Sequence, residues 1–208
     1  MDSQKPQILN RYTSLPAALD VLAMKRITLS SPKLWEDQND AYYIERYRQA
    51  MKRRCILAIC FSARSETFHH WRVFAGGVAG VCIEFDKERL LRSFIGKVGF
   101  RTGDVTYKWI GEVKKEKPEL ALWPFLKRKQ YEDEGEFRII YESRKKHLGS
   151  KSVRIGLAAI RKVTLSPWLS DKAAESVMEV IGRIEGCSEL PVNHSSLIDN
   201  PGWRNAIE

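Results

Sequence analysis

The feature that most constrains the fold of this chain is an uninterrupted run of seven apolar residues at positions 55–61. An apolar run of this length, without polar alternation, is typical of a β-strand that is covered on both of its faces. Serine follows the run at position 62, and a basic segment precedes it. The run therefore predicts a buried strand in the interior of a folded domain.

The rest of the chain predicts short strands and a smaller number of helices. Apolar runs and turn residues indicate strands at 7–13, 27–30, 81–85, 103–107, 136–141, 153–155 and 160–165. Apolar spacing of three and four residues indicates helices at 15–26, 41–54 and 171–184, and residues 86–91 begin a helix or a turn. We expect the last twenty residues to be irregular. With no internal repeat, this pattern predicts an α+β domain.

Length and charge limit the domain organisation and the class of partner. A chain of 208 residues without a sharp change in composition predicts one domain, 1–208. Thirty-five Lys and Arg against 26 Asp and Glu give a net charge of +9, which favours a polyanion such as nucleic acid. The alternative is that this charge only keeps the protein soluble.

Cysteine usage and hydropathy predict a cytoplasmic protein. The four cysteines, Cys55, Cys60, Cys82 and Cys187, form no C-x-x-C pair, and three of them lie in apolar runs, so we expect reduced thiols. No apolar segment follows Met1, and no stretch approaches the roughly 18 apolar residues of a membrane span. Secretion and membrane insertion are therefore not expected.

The segment richest in chemical groups is 127–138, where four carboxylates within five residues interrupt a basic region. If the chain is extended here, Glu134 and Glu136 point to the same side, because side chains alternate along a strand. Glu136 directly precedes the apolar strand, where a partly buried carboxylate is costly without a role. The alternative is a solvated acidic turn whose charges are balanced by the surrounding lysines and arginines.

Several strand ends carry groups that suit a nucleotide. The guanidinium of Arg11 can bind phosphate or ribose, and the ring of Tyr12 can stack on a heterocycle, although a surface arginine beside a core tyrosine is the simpler interpretation. Hydroxyls end two other strands and could orient a ribose or an amide, or they could be ordinary strand ends. The candidates for binding a nucleotide are Arg11, Tyr12, Thr13, Ser30, Ser31, Ser62, Trp71 and Phe74.

Other kinds of site have little support in the sequence. His69 and His70 are adjacent and therefore point in different directions, and no spaced carboxylate or thiol completes a metal-binding set. Gly76–Gly80 follows no predicted strand, so it is not a dinucleotide fingerprint. We found no nucleophile elbow and no phosphate-binding Walker loop. No metal is expected.

Taken together, five motifs in chain order resemble a bacterial family of unknown function whose pattern is similar to that of ADP-ribosyltransferases. They are R-Y-T-S-L at 11–15, I-T-L-S-S-P at 27–32, C-F-S at 60–62, Trp71 with G-V-C-I-E-F-D at 80–86, and E-F-R at 136–138. The match spans about residues 8–165. Two departures are Phe74, where the family usually has tyrosine, and the absence of a Ser-Thr-Ser motif.

The resemblance implies a fold, a donor and a set of roles. The fold would be a single ADP-ribosyltransferase-like domain with a split mixed sheet flanked by helices, and NAD would be the donor of ADP-ribose. Glu136 would stabilise the ribosyl cation, Glu134 would activate the acceptor, and Arg11 would grip a phosphate or ribose while Tyr12 or Trp71 packs against nicotinamide. Ser62 or the Ser30-Ser31 pair would supply the middle motif.

The basic segments predict nucleic acid as the acceptor, with RNA favoured over DNA and either favoured over protein. The residues expected to bind it are Arg46, Lys52, Arg53, Lys127, Arg128, Lys129, Arg144, Lys145 and Lys146. By resemblance, the chain would be a toxin or phage-defence effector with an antitoxin partner. The alternatives are a non-catalytic nucleic-acid-binding module, an NAD glycohydrolase and a protein-directed transferase.

Overall fold

The computed structural model describes residues 7–206, so both ends of the predicted domain 1–208 lie outside the described residues. The strands are β1 (Ile8–Ser14), β2 (Arg26–Ser30), β3 (Cys55–Ser62), β4 (Gly80–Asp86), β5 (Phe100–Asp104), β6 (Thr106–Lys108), β7 (Leu126–Arg128), β8 (Glu136–Ser143), β9 (Ser150–Arg154), β10 (Ile160–Leu165) and β11 (Val192–His194). The helices are α1 (Leu15–Met24), α2 (Gln38–Ala50), α3 (Phe68–Phe74), α4 (Lys87–Arg92), α5 (Ile110–Glu116), α6 (Asp171–Gly182) and α7 (Pro201–Asn205). This is an α+β fold, as predicted.

The chain folds into two compact units, each made of segments that are separated in the sequence. Of the described residues, unit 1 contains 7–26, 65–93 and 154–206, whereas unit 2 contains 27–64 and 94–153. The prediction that the chain is one domain stays a prediction. Each unit contributes its own strands and its own candidate residues.

The sheet of unit 1 has the order β11-β10-β4-β1. Strand β4 is antiparallel to both of its neighbours, and β11 is parallel to β10, which makes this a mixed sheet. Tyr12 on β1 lies opposite Cys82 on β4. Its side chain packs with Trp71, Ala75 and Cys82 in a buried cluster, so β1 and α3 share a core.

The sheet of unit 2 is built on β3 and β8. They pair antiparallel over their full lengths, from Cys55 opposite Ser143 to Ser62 opposite Glu136. Strand β5 pairs with the other edge of β8, and the short strands β6 and β7 form a separate parallel pair. All but Cys60 of the eight residues of β3 are buried, as the apolar run at 55–61 predicts.

Several sequence predictions differ from the structure at element boundaries. Helix α2 begins at Gln38 rather than at residue 41, because the carboxylate of Asp37 accepts hydrogen bonds from the amides of Asn39 and Asp40. The predicted strand 103–107 is two strands, β5 and β6. The tail predicted to be irregular contains β11, which pairs with β10, and helix α7, which is capped by Asn200.

Candidate active site

A tight turn before β8 brings Glu134 and Glu136 together. Glu134 ends a 3₁₀ helix, Gly135 takes a left-handed conformation with φ of 51°, and Glu136 begins β8. The hydroxyl of Ser62 donates a hydrogen bond to the carbonyl oxygen of Glu134 at 2.7 Å. The amide of Glu136 donates one to the phenolic oxygen of Tyr107, also at 2.7 Å. The backbone of the turn is therefore fixed on both sides of the glycine.

Both carboxylates are buried, with Glu134 6% and Glu136 7% exposed. This excludes a solvated acidic turn for these two residues, although Asp133 is exposed and Glu132 is partly so. A buried carboxylate is stable only when cations and hydrogen bonds replace its hydration. The partners of the two groups therefore determine what the site can do.

Arg138 is the main partner of Glu136. It lies two residues further along β8 and is fully buried. Its Nε and Nη2 atoms donate to the two carboxylate oxygens of Glu136 at 2.7 and 2.8 Å, which is a bidentate pair. Its two Nη atoms also donate to both oxygens of Asp40, with Nη1 at 2.9 Å. One guanidinium thus holds two buried carboxylates.

Lys127 is the second cation of this cluster. Its Nζ atom lies 2.5 Å from Glu134 Oε2, 3.5 Å from Glu136 Oε2 and 4.0 Å from Asp40 Oδ2, and its side chain is 8% exposed. The buried charge cluster is therefore formed by Asp40, Lys127, Glu134, Glu136 and Arg138. With all five groups ionised, three carboxylates face two cations, so the cluster has an excess of one negative charge.

The cluster shifts the pKa values of its two glutamates in opposite directions. Burial alone would raise the pKa of Glu136, but the Arg138 guanidinium, Lys127 and a hydrogen bond from Cys60 lower this pKa to about 2. Burial raises the pKa of Glu134, and Lys127 offsets this only in part. Glu136 is therefore a permanent anion near neutral pH, whereas Glu134 holds a proton more readily than an ordinary glutamate.

A buried, permanently ionised carboxylate beside a second one with a raised pKa can carry out two kinds of chemistry. The first can stabilise a positive charge that develops next to it, because the low-dielectric surroundings screen the interaction weakly. The second can accept a proton from a nucleophile. These are the two roles that the family resemblance implies for Glu136 and Glu134, respectively.

The nucleotide-binding candidates in unit 1 lie on β1 and α3. Arg11 and Thr13 are half-buried on β1, on the opposite face of the strand from Tyr12. The Tyr12 ring is buried and stacks on His70 at 5.1 Å, and the fully buried ring of Trp71 meets its edge at 5.3 Å. We therefore assign Tyr12 and Trp71 to the core of unit 1, whereas Phe74 is exposed.

Unit 1 also contains a cavity of about 200 Å³ whose lining includes Tyr12, Glu66, Cys82 and Lys162. It is smaller than the roughly 300–1,000 Å³ of pockets that hold drug-sized ligands. The indole nitrogen of Trp71 donates to Glu66 at 2.6 Å. Burial raises the pKa of the Cys82 thiol to about 12, so that this thiol stays protonated near neutral pH.

The serine candidates in unit 2 have different surroundings. Ser62 is buried, and its hydroxyl bonds Glu134 and accepts from the amide of Arg64 at 3.1 Å, so it belongs to the turn that carries the carboxylates. Ser30 is exposed at the end of β2. The hydroxyl of Ser31 accepts from the amide of Lys33 at 3.4 Å and caps a 3₁₀ turn.

The residues expected to bind nucleic acid all lie in unit 2, but their surroundings differ. Those exposed to solvent are Arg46, Lys52, Arg144, Lys145 and Lys146. Arg53 pairs with Glu142 at 3.0 Å, and Lys129 pairs with Glu132 at 2.7 Å. Arg128 is half-buried on β7. Lys127 lies in the buried charge cluster, and we assign it there rather than to a phosphate-binding surface.

Sequence reasoning missed Asp40, Tyr107 and the role of Arg138. Arg138 carried a usable signal, because it lies two residues after Glu136 on a strand and therefore on the same face. Asp40 and Tyr107 approach the cluster from other elements, and no local pattern indicates those contacts. The crowding of carboxylates at 132–136 did indicate that cations must be close by, without saying which.

Among residues 7–206, no group of three or more His, Cys, Asp and Glu side chains is arranged to hold a metal ion. In the same part of the chain, each helix is too short or too polar to cross a lipid bilayer. His70, one of the two adjacent histidines, is buried, and its Nδ1 lies 2.9 Å from the hydroxyl of Thr67. That histidine is therefore part of the packing of α3.

No family model matches this chain, and no curated protein matches it. Three solved structures of DarT from Thermus sp. 2.9 are similar to it over 92% of its length. The complex with carba-NAD+ has a TM-score of 0.46 and 8% identity over 97% of that chain. The complexes with NAD+ and with ADP-ribosylated ssDNA both have TM-scores of 0.47, with 10% and 11% identity over 96% and 95% of those chains. At these TM-scores and identities, the likeness carries no argument about the function of this chain.

Proposed function

We propose that this chain is an NAD-dependent ADP-ribosyltransferase that transfers ADP-ribose to a nucleic acid and releases nicotinamide. The observation that carries the proposal is the buried charge cluster, in which the neighbouring carboxylates of Glu134 and Glu136 are held by Lys127 and Arg138. Cleavage of the nicotinamide–ribose bond creates a positive charge on the ribose. A buried carboxylate that stays ionised, as Glu136 does, suits that transition state.

Glu136 is the residue that stabilises the ribosyl cation. At about 4 Å and an effective dielectric near 20, one carboxylate and one positive charge interact by roughly 4 kcal/mol. That energy corresponds to about a thousandfold in rate. Arg138 is a positioning residue in this scheme, because its bidentate bond fixes both oxygens of Glu136.

Glu134 is the residue that activates the acceptor. The bond between ribose C1′ and nicotinamide breaks, and its electron pair leaves with nicotinamide. The acceptor oxygen or nitrogen then forms a bond to C1′ and gives its proton to Glu134, whose pKa is raised by burial. Atoms and charge balance with NAD and the acceptor as the two substrates.

The donor would be held by the exposed and half-buried members of the predicted set. In unit 2, the Ser30-Ser31 pair would orient ribose or amide groups. Arg11, Thr13 and Phe74 belong to unit 1, and their contact with the donor stays a prediction. Ser62 would act indirectly, by holding the carbonyl of Glu134. Tyr12 and Trp71 would support β1 from within the core of unit 1.

The acceptor would be bound by the exposed basic residues of unit 2, Arg46, Lys52, Arg144, Lys145 and Lys146. The net charge of +9 favours a polyanion over an acidic patch on a protein. RNA and DNA present the same phosphates to such a surface, so the experiment tests RNA and DNA as acceptors. A transferase of this kind would act as a toxin, with a neutralising antitoxin as its partner.

The direct experiment uses NAD labelled in its adenylate phosphate. The purified chain is incubated with total RNA, single-stranded DNA or cell-lysate protein, and the label bound to each class is counted. We expect label on nucleic acid, and none with Glu136→Gln. Label on protein alone would mean that the acceptor is protein rather than nucleic acid. NAD consumption without labelled macromolecules would make the chain a glycohydrolase, and salt-sensitive nucleic acid binding without NAD consumption would make it a binding module.

Toxicity is tested separately in growing bacteria. Induced expression of the wild-type chain should arrest growth, whereas expression of Glu136→Gln to the same level should not. Arrest by both proteins would contradict a toxin that acts through this site.

A further inference from the structure

The cavity of about 200 Å³ in unit 1 lies on one face of the sheet formed by β1, β4 and β10. Its lining includes two neighbouring rows of side chains that run across these strands: Asn10, Glu84 and Lys162 in one row, and Tyr12, Cys82 and Thr164 in the next. Residues two apart on a strand point to the same face, so both rows belong to one surface. Ser65 and Glu66, which precede α3, complete the lining.

This cavity is separate from the residues of unit 1 that are predicted to contact NAD. Arg11 and Thr13 point to the opposite face of β1 from Asn10 and Tyr12, because side chains alternate along a strand. The cavity is also smaller than the roughly 300–1,000 Å³ of pockets that hold drug-sized ligands. It therefore suits a ligand much smaller than a dinucleotide.

Glu66 supplies a negative charge to the cavity. Its Oε1 atom accepts hydrogen bonds from the indole nitrogen of Trp71, at 2.6 Å, and from the hydroxyl of Ser195. Both donors are neutral, and no cation among residues 7–206 forms a salt bridge with this carboxylate. A cationic group in the cavity would thus meet a carboxylate that has no charged partner within the described part of the chain.

The row that contains Lys162 supplies a positive charge. Glu84 pairs with Lys162 at 3.3 Å and with Arg161 at 3.4 Å. Two cations therefore share one carboxylate, which leaves one positive charge in excess in this group. Lys162 itself lines the cavity, and an ammonium group has three hydrogens to donate. An anionic group in the cavity would therefore find a donor in Lys162.

The remaining lining residues carry no charge near neutral pH. Burial raises the pKa of Tyr12, and it raises the pKa of Cys82 to about 12, so both groups keep their protons. Asn10, Ser65 and Thr164 offer amide and hydroxyl groups, which can donate and accept hydrogen bonds. The lining therefore combines one carboxylate, one opposing cationic group and a polar, neutral remainder.

We propose that this cavity binds a small zwitterion, a free amino acid, with its ammonium group against Glu66 and its carboxylate against Lys162. An amine without a carboxylate would leave Lys162 unmatched, and a carboxylate without an amine would leave Glu66 unmatched. The small volume favours an amino acid with a short side chain. The site lies within unit 1 and does not depend on the proposed transferase activity.

The experiment follows tryptophan indole signals in ¹H–¹⁵N spectra of the labelled full chain. The indole N–H of Trp71 bonds to Glu66, so its signal reports on a ligand that reaches that carboxylate. L-Alanine should shift this signal in a saturable manner. Ethylamine and propionate, which each lack one of the two charges, should bind about tenfold more weakly or less tightly still. The signal of Trp203, which is 80% exposed on α7, should not move.

Two variants test the two charges separately. Glu66→Gln removes the charge but keeps a carbonyl oxygen that can accept from Trp71 and Ser195. Lys162→Met removes the ammonium and keeps an apolar stem. Each should weaken binding of L-alanine by about tenfold or more. Glu175→Gln is the matched control, because Glu175 is exposed on α6 and its loss changes the net charge equally.

Three results would overturn the proposal. The first is the absence of a saturable shift of the Trp71 signal with L-alanine. The second is binding of ethylamine or propionate as tight as that of L-alanine, which would exclude selection of a zwitterion. The third is wild-type affinity for L-alanine in both folded variants, Glu66→Gln and Lys162→Met. Nicotinamide release from NAD is a separate measurement, and its absence would overturn the proposed transferase alone.

Discussion

At the scale of single residues, Arg138 organises the candidate site. It is fully buried, binds Glu136 and Asp40 through both edges of its guanidinium, and also donates to the carbonyl of Pro124 at 2.9 Å. Its charge lies 5.0 Å from the centre of the Trp35 ring. No other described side chain contacts two of the buried carboxylates in bidentate fashion, so its loss should affect folding and activity together.

Replacement of Arg138 by methionine should lower the free energy of unfolding by about 3–5 kcal/mol, because two buried carboxylates lose their partner. Urea denaturation followed by circular dichroism measures the change. The control is Arg161→Met, because Arg161 is 43% exposed and pairs with Glu84 at 3.4 Å. An exposed pair contributes less than about 1 kcal/mol. Equal losses for the two variants would contradict a buried pairing role for Arg138.

The raised pKa of Glu134 predicts the pH dependence of transfer to the acceptor. A base must be deprotonated, so activity is present above the pKa and is lost as the pH falls through it. Because burial raises this pKa above its ordinary value of 4.5, the loss should begin at a higher pH than an exposed glutamate would give. Glu134→Gln should transfer far more slowly while still releasing nicotinamide to water. A Glu134→Gln variant with wild-type transfer rate and pH profile would refute the role.

At the scale of elements, the turn between the 3₁₀ helix Lys129–Glu134 and β8 sets the geometry of both glutamates. Gly135 has a φ of 51°, and a Cβ atom there would lie 2.4 Å from Cγ of Arg64. The carbonyl of Gly135 accepts from the amide of Ala63 at 2.8 Å, which joins the turn to the end of β3. The left-handed glycine therefore allows the chain to reverse in a crowded place.

Gly135→Ala should lower the free energy of unfolding by about 1–2 kcal/mol, because alanine disfavours the left-handed backbone. The new Cβ atom would also have to displace the Arg64 side chain, which adds to this loss. Thermal unfolding and nicotinamide release both report the effect. Gly111→Ala is the matched control, because nothing lies within 4 Å of its Cβ position and it sits within α5. Alanine there should be neutral or stabilising by up to about 1 kcal/mol. Equal stability of the two variants would contradict the proposed strain.

Elements with a strong local pattern could be predicted from the sequence, and those held by distant contacts could not. The apolar runs located β3, β4 and β8 to within a residue or two. Strand β11 and helix α7 were missed, because three polar-flanked residues become a strand only through pairing with β10. Asp40 lies just before the predicted helix 41–54, whereas the cap at Asp37 places it in the first turn of α2.

In the candidate site too, features with a local sequence pattern could be predicted, and those held by distant contacts could not. The convergence of Glu134 and Glu136 was predicted, although a left-handed glycine produces it rather than strand alternation. Lys127 was assigned to nucleic acid binding, because a lysine among other basic residues gives no local sign of burial. Its contact to Asp40 comes from packing between segments far apart in the sequence.

At the scale of the whole molecule, the net charge of +9 should separate the two half-reactions by their response to salt. The logarithm of the binding constant for a single strand falls by about 0.7 per phosphate contact for each tenfold rise in salt concentration. Transfer to an oligonucleotide should therefore fall steeply between low and high salt, while hydrolysis of NAD in its absence should change little. Equal salt sensitivity of the two rates would contradict an electrostatic acceptor surface.

The buried charge cluster is the centre of this account, and nicotinamide release tests it most directly. Release from carbonyl-labelled NAD is compared for the wild type, Glu136→Gln and Glu132→Gln at neutral pH, with folding checked by thermal unfolding. Glu132 is the matched control, since it lies in the same acidic segment but is partly exposed and paired with Lys129. We predict about a thousandfold loss for Glu136→Gln and little change for Glu132→Gln. Equal rates for the wild type and a folded Glu136→Gln would contradict the account.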